Sequence, residues 1–412
     1  MIKQNVDVAV IGAGPAGLAA AVSAKENGVN KVLILDRNNW KGGILPQCIH
    51  DGFGVEETGE SMAGPEYADM YVKLAKKQKI DFMLETMVLS LNKKLEITAV
   101  NKKGLHNIKA KSIILAMGCR EKTRWNVMIP GTRPSGIFTA GVAQAFINLY
   151  NIIPGKNIVI LGSGDVGLIM ARRLKLEGAN VKGVVEILPF VSGLPRNVVQ
   201  CLDDYDIPLF LNHTITNIDG KERLKSVTIA QLDKNMKVKP KSKRTIKCDT
   251  LLLSLGLIPE NELSKNIGIK IDEMTGGPIV DQFYETNISG VFACGNCLQV
   301  YDTVDVLSKG AKYAGKNAAL KPRCKETEIT VKPGKNVRYI VPQKINSSGN
   351  INFTMRILKS EQSVFLNVKA GKKEIYRKKL RWVNPANMVE FNLDIDDKLL
   401  NAVETLEVSI DA

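Results

Sequence analysis

Val8-Ala9-Val10-Ile11, followed at once by Gly12-Ala13-Gly14-Pro15-Ala16-Gly17, decides the fold: an apolar run stops at a glycine turn and opens into a helical stretch. The same text returns 150 residues later, where Ile158-Val159-Ile160-Leu161 leads into Gly162-Ser163-Gly164-Asp165-Val166-Gly167. The repeat stays in register, with Gly28 answered by Gly178 and Asp36 by Glu186. Each copy reads strand, glycine turn, helix, second strand and carboxylate, which is the grammar of a dinucleotide-binding βαβ unit. One such glycine pattern is weak; two in register imply two dinucleotides on one chain, and so electron transfer between them.

Each position has a physical task. Gly12 permits the tight turn, Gly14 lets the backbone approach a pyrophosphate, and Gly17 lets the helix pack on the strand. The helix N-terminus that follows offers free N–H groups and the positive dipole end to phosphate. Asp36 is placed to accept from a ribose diol, and Gly42-Gly43 gives the second close backbone approach expected for an extended flavin dinucleotide. Gly162, Gly164, Asp165, Val166 and Gly167 repeat this logic, with Glu186 at the ribose. A carboxylate there repels a 2′-phosphate and no arginine follows it in Ile187 to Gly193, so NADH is favoured over NADPH. Arg172 and Arg173 lie too far into the helix and are expected on the surface.

The chain has 412 residues, enough for two or three domains, with 44% hydrophobic and 24% charged residues, as in a folded soluble protein. No apolar run is long enough to span a bilayer, and the first strand begins too early for a signal peptide, so a cytoplasmic protein is expected, with docking to a membrane-bound partner left open. The formal charge is +15, from 57 basic and 42 acidic residues. The lysines are scattered without an aromatic stacking pattern, which argues against nucleic acid. Lys234 to Lys247 reads as a solvated hairpin loop. Seven scattered cysteines form no disulfide framework and fit a reduced compartment.

The expected architecture is α/β: two Rossmann-like dinucleotide-binding domains plus a small C-terminal β-sandwich-like domain. The first dinucleotide domain is discontinuous, over residues 1–122 and 262–323; the second covers 123–261; the β-rich domain covers 326–412. Glu66 to Lys79 reads as an exposed helix with Tyr67, Met70, Tyr71 and Leu74 on one face. Thr123 to Pro134 reads as a crossing linker, Gln144 to Tyr150 as a helix, and Ser308 to Leu320 as a small-residue helix before Pro322. Beyond Glu326, period-two runs such as Ile351-Phe353-Met355-Ile357 and Leu406-Val408-Ile410 indicate antiparallel strands. Nothing in that segment looks catalytic; docking or dimerisation is its expected role, with shielding of apolar surface as the alternative.

The order of first fingerprint, Gly42-Gly43, Ala116-Met117-Gly118, second fingerprint, Leu255-Gly256-Leu257-Ile258-Pro259 and Phe292-Ala293-Cys294-Gly295-Asn296 resembles the two-dinucleotide-domain flavoproteins, which include glutathione and thioredoxin reductases. Gly42 to Gly54, Gly118-Cys119-Arg120-Glu121 and Ile129-Pro130-Gly131-Thr132-Arg133-Pro134 resemble a narrower group. That group comprises FAD-dependent oxidoreductases associated with glycerol-3-phosphate dehydrogenase, akin to dye-linked proline dehydrogenase α subunits and cyanide synthase. The resemblance implies FAD at Gly12, Gly14, Pro15, Ala16, Gly17, Asp36, Arg37, Gly42, Gly43, Val88, Ala116, Gly118, Gly295, Asn296 and Asp305. It implies NAD at the second fingerprint, Glu186 and Gly256. It also places Asp302, Asp305 and the following helix near the flavin pyrimidine end. Gly295-Asn296 stands where the superfamily usually has Gly-Asp, and an amide there can still donate to a phosphate oxygen. Ala116-Met117-Gly118 stands for the commoner Ala-Thr-Gly.

The disulfide reductases carry a cysteine pair after the Gly-Gly or a CxxC in the nicotinamide domain; here Cys48 stands alone and residues 139–256 hold no CxxC. Cys294-Gly-Asn-Cys297 falls on the flavin-strand terminus with nothing to complete a metal site, so no metal is expected. Cys48 and His50 are the candidate catalytic residues: a thiol beside the flavin that forms a sulfenic acid if a positive neighbour stabilises its thiolate. His106 and His213 receive no role. Three functions follow. One is an NADH-linked FAD oxidoreductase of diaphorase type, exchanging electrons with a partner flavoprotein, a small Cys-rich protein or another acceptor, with glycerol 3-phosphate oxidation in view. The second is a self-contained NADH oxidase or peroxidase using Cys48. The third is a non-catalytic electron-transfer or assembly subunit.

Overall fold

The computed structural model describes residues 1–321 and 328–411. Contacts divide the chain into two units, Met1–Cys119 with Pro259–Ala412, and Arg120–Ile258. The boundary expected between residues 323 and 326 lies outside the described residues, as does Pro322.

In the first unit the strand Ile2–Ile11 lies between Val32–Leu35 and Gly104–Leu115, parallel to both. The sheet runs Asp81–Met83, Val32–Leu35, Ile2–Ile11, Gly104–Leu115, Glu96–Asn101, Met87–Leu91, with Val291–Ala293 also paired to Gly104–Leu115. Val8, Ala9 and Val10 are buried on both faces, which is why a continuous apolar run, rather than an alternating one, is needed there. The helix Pro15–Glu26 buries every residue from Ala16 to Ala24. It is held against the helix Val304–Leu320, where the Ser23 hydroxyl donates to the Lys312 carbonyl at 2.7 Å and Gly315 has no room for a Cβ against Ala20.

The helix expected over Glu66 to Lys79 spans Gly64–Lys77 and is less exposed than its lysines suggest. Tyr67 and Tyr71 are fully buried, because both phenols donate to the Glu57 carboxylate of the short helix Val55–Thr58. Leu74, expected on the same apolar face, is exposed.

The second unit repeats the first. Its five strands are all parallel, in the order Leu209–Phe210, Asn180–Val185, Asn157–Leu161, Thr250–Leu253, Ile137–Thr139. Ile11 lies opposite Leu35 and Leu115; Leu161 lies opposite Val185 and Leu253. The Gly12 N–H donates to Leu35 O at 2.8 Å, and the Gly162 N–H to Val185 O at 2.7 Å. An antiparallel sheet of His213–Gly220, Leu224–Gln231 and Arg244–Lys247 adds to this unit. The basic stretch is therefore not loop throughout: its last four residues form a strand anchored by buried Ile246. Within Thr123 to Pro134, a 3₁₀ turn at Arg124–Val127 is organised by the Arg124 guanidinium, which donates to the carbonyls of Ile129, Gly131 and Thr132.

The C-terminal strands form two sheets around a core of Ile351, Phe353, Met355, Leu366, Val408 and Ile410. One sheet runs Lys344–Ile345, Ile329–Pro333, Thr405–Asp411, Glu361–Ala370, Lys373–Val383; the other runs Val337–Val341, Gly349–Ile357, Val389–Ile395. Pairing is antiparallel except between Ile329–Pro333 and Thr405–Asp411, which run parallel. This sandwich groups with the first unit rather than standing apart. Arg356 donates to Asp302 Oδ1 (2.6 Å) and to the Val300 carbonyl, the Met388 N–H donates to Asp302 Oδ2 (2.7 Å), and Gln299 Nε2 donates to Thr354 Oγ1 (2.6 Å). Among the described residues, no helix is long and apolar enough to cross a membrane.

Candidate functional site

In the first unit the middle residue of the glycine turn is clamped from two sides. The Ala13 N–H donates to Asp36 Oδ2 at 2.7 Å, and the Ala13 carbonyl accepts from the Gly42 N–H at 2.8 Å. Asp36 Oδ1 accepts from the Asn38 N–H, so the carboxylate is fixed facing the turn. Gly43, at φ +61, brings its backbone against Gly14: an added Cβ would lie 2.8 Å from Gly14 Cα. The two glycine segments thus form one narrow backbone cradle. Ala116 and Gly118 follow the end of the neighbouring strand, and Gly295 packs so closely on Ala16 that it has no space for a side chain. These residues fit a bound dinucleotide: the cradle has the backbone approach that a pyrophosphate requires. The helix Val304–Leu320 begins beside Thr303, whose hydroxyl is buried without a partner and so has capacity for one.

Other expected ligands hold different positions. Arg37 is exposed, and Val88 has its side chain in the core, leaving only its backbone to face a ligand. Asn296 accepts from the Tyr301 N–H and turns Nδ2 toward Cys119 Sγ at 3.6 Å. The Asp305 carboxylate is engaged by backbone donors. It accepts from the N–H groups of Gly54 (3.2 Å) and Glu57 (3.1 Å), fixing the segment that follows the Gly-Gly loop. Asp302, expected near a flavin ring, is ion-paired with Arg356. Helix Val304–Leu320 also starts four residues earlier than its small residues indicate. A cavity of about 500 Å³ lies between this helix and the C-terminal strands, but Lys309 pairs there with Glu390 and Lys312 with Glu57.

The second unit reproduces the clamp. The Ser163 N–H donates to Glu186 Oε2 at 2.9 Å, as the equivalent Ala13 N–H does to Asp36. The Ser163 and Ser192 hydroxyls also donate to Oε2, and the Leu188 N–H to Oε1 at 2.9 Å. A carboxylate offers about four acceptor sites, so this buried one keeps capacity on Oε1. Asp165 accepts from the Leu194 N–H and Asn197 Nδ2, tying the segment after Glu186 back to the turn. Val166 is exposed at the helix start, and Gly256, at φ +90, accepts from the Lys122 N–H. Ser163, Ser192 and Asn197 went unnoticed in the sequence; Ser163, between the two glycines, was the one with a positional signal.

Cys48 and His50 are not arranged as a thiolate and its cation. Burial pushes the Cys48 thiol up to about 12, and its Sγ lies 3.5 Å from the Ile44 carbonyl. His50 engages the Asp51 carbonyl through Nδ1 at 3.0 Å and packs on Phe53. Cys294 and Cys297 are fully buried, with the Cys297 thiol donating to the carbonyls of Leu115 and Cys294. His106 is held by Asn101 and His213 by the Leu211 carbonyl.

The family model described as pyridine nucleotide-disulphide oxidoreductase matches residues 6–341. Hydrogen cyanide synthase subunit HcnB of Pseudomonas protegens is 25% identical over 290 residues, covering 65% of this chain and 60% of the relative. NADH dehydrogenase of Bacillus subtilis is 25% identical over 324 residues, covering 77% of this chain and 58% of the relative. The chain thus spans about 60% of the length of such relatives. Thioredoxin reductase of T. acidophilum shares the fold, with a TM-score of 0.63 at 22% identity over 77% of this chain and 99% of that one. The doubled glycine turn, each copy closed by its own carboxylate, and the match over residues 6–341 agree: the chain belongs to the pyridine nucleotide-disulphide oxidoreductase family of FAD-dependent oxidoreductases.

Proposed function

We propose that the chain is an NADH-linked FAD oxidoreductase of diaphorase type, holding FAD at the first fingerprint and NADH at the second. The observation that supports it most is the duplicated clamp, Ala13 to Asp36 and Ser163 to Glu186. Bound FAD would supply the two-electron acceptor for the nicotinamide. The chain's own part is positional. The Gly14–Gly43 cradle admits a pyrophosphate, the N–H groups at the start of Pro15–Glu26 face it, and Asp36 receives a ribose. Glu186, negatively charged and enclosed by serines, receives an unsubstituted ribose and repels a 2′-phosphate, which favours NADH. What the chain would have to supply for that chemistry is placement of the two cofactors rather than an acid or a base.

Electrons would then pass to a partner subunit or another acceptor, in a cytoplasmic setting where NADH is available. The name of the HcnB relative, a subunit, supports a partner, and the name of the Bacillus relative supports NADH. Glycerol 3-phosphate oxidation is the partner reaction to try first. The self-contained peroxidase reading is disfavoured by the raised Cys48 thiol, because a peroxide-reactive cysteine needs a thiolate near neutral pH. Anaerobic mixing of the flavin-loaded protein with NADH, NADPH and glycerol 3-phosphate, each alone, tests the proposal. NADH is expected to bleach the flavin fastest. Failure of NADH to bleach it would end this reading.

A further inference from the structure

The strand Lys373–Val383 forms one edge of the C-terminal five-stranded sheet, paired only on its inner side with Glu361–Ala370. Residues 372–381 carry Lys372, Lys373, Arg377, Lys378, Lys379 and Arg381 against the single acid Glu374. Six positive charges less one negative give +5, a third of the chain's formal +15 on ten residues. All six side chains are exposed, and none has an ion-pair partner among the described residues; Arg377 instead lies over the Phe365 ring at 4.0 Å. Directly across the strand from Arg377, Lys378 and Lys379 stand Asn367, Leu366 and Phe365, which are uncharged. Trp382, 45% exposed, ends the run.

Two copies cannot pair along this edge without setting lysines and arginines opposite one another, which is destabilising. The strand presents cations from both of its faces, with an indole beside them. That arrangement complements a broad sheet of negative charge with an apolar layer beneath it: flexible cations meet headgroups, and an indole sits at the boundary. We propose that the hairpin Glu361–Val383 is a docking surface for an anionic lipid bilayer, bringing the flavoprotein reversibly to a membrane surface that none of its described helices can cross. This inference stands independently of the proposed redox reaction.

The full-length protein is mixed with vesicles of phosphatidylcholine containing about 30 mol % phosphatidylglycerol, or none, at low salt and at about 0.5 M NaCl. Sedimentation with the anionic vesicles at low salt is expected, with little at high salt or on neutral lipid. The variant R377E/K379E/R381E, altered only at exposed side chains, is expected to bind at least about tenfold more weakly. K76E/K77E/K79E, with the same charge change on an exposed helix end, is expected to retain binding. Trp382 emission should shift to the blue on binding, and W382F should lose that shift while still sedimenting. Absence of sedimentation, equal binding to neutral vesicles, or undiminished binding by the folded hairpin variant would overturn the proposal. So would retention by an acidic peptide or an oligonucleotide in place of the vesicles.

Discussion

Two glycines with left-handed backbones separate conformational strain from close approach, and so test the cradle directly. Gly28, at φ +90 just beyond the first helix, has nothing within 4 Å of an added Cβ. Gly43, at φ +61, has Gly14 Cα at 2.8 Å, Gly14 N at 3.6 Å and Pro15 Cδ at 3.8 Å from that position. Either Gly→Ala change carries the left-handed penalty of about 1–2 kcal/mol. Only Gly43→Ala must also move backbone. Carbon atoms settle at about 3.5–4.0 Å, so the two turns must part by roughly 0.7–1.2 Å. No flexible side chain is available to absorb that movement.

An opening near 1 Å in a positioned site corresponds to a loss of about a hundredfold, or about 2.8 kcal/mol. Gly28→Ala is therefore expected to lower unfolding stability by about 1–2 kcal/mol with unchanged FAD affinity. Gly43→Ala is expected to show a comparable loss of stability plus the hundredfold loss in FAD affinity. Titration of apoprotein with FAD, followed by flavin fluorescence, gives the affinities, and urea unfolding gives the stabilities. If Gly43→Ala held FAD within about threefold of the parent protein, the Gly14–Gly43 approach would not be the FAD cradle.

Glu186→Gln must turn its amide toward one of the N–H or O–H donors now served by the carboxylate, costing about 1–3 kcal/mol of stability. Removing the charge should raise NADPH use relative to NADH at least about tenfold in kcat/KM; an unchanged ratio would refute the role of Glu186. Because the Cys48 thiol is raised to about 12, it is neutral near pH 7. Its alkylation rate should keep climbing with pH to beyond about pH 10, and Cys48→Ser should leave flavin reduction by NADH intact. A rate plateau near neutrality would contradict this. At Glu57, burial pushes the carboxyl up, but Lys312, Tyr67 and Tyr71 outweigh it and lower it from 4.5. The lowered value gives stability that is full above the unfolded-state value and is lost as pH falls through the folded-state one. The gap in urea stability between parent and Glu57→Gln should be full at neutral pH and shrink in acid; a gap independent of pH would refute the assignment.

The dinucleotide halves were readable because their requirements are local. A strand buried on both faces demands an unbroken apolar run, the turn demands glycine at fixed steps, and the carboxylate follows at the end of the next strand. Ala13 and Asp36 are 23 residues apart, as are Ser163 and Glu186, within one supersecondary unit. Contacts whose partners are remote in the chain leave no such local pattern. Asp305, expected at the cofactor, has partners Gly54 and Glu57 that lie 251 and 248 residues away. Asp302 finds Arg356 54 residues on. Tyr67 and Tyr71 could not be seen as buried without Glu57 to receive their hydroxyl protons. Lys373–Val383 was missed as a strand because an edge with only Val383 fully buried writes no alternation.

The same remote contacts decide what kind of appendage the C-terminal sandwich is. A module on a linker would meet its host through a polar, loosely packed surface. Here Thr354, 2% exposed, is bonded to Gln299, 0% exposed, and Gln343 holds the Val280 N–H through its side chain. Arg356, with its side chain 11% exposed, and the Met388 N–H both end on Asp302, two residues before the helix Val304–Leu320 begins. That helix in turn fixes the segment after Gly42-Gly43 through Asp305. Hydrogen bonds, joined by short stretches of backbone, therefore link the sandwich to the segment that follows the first glycine cradle, all within one compact unit. Breaking the buried Arg356–Asp302 pair would leave a carboxylate without its cation, the costly way to lose an ion pair. Whatever the sandwich touches is thereby held at a fixed position relative to the first dinucleotide turn, which a tethered domain could not achieve.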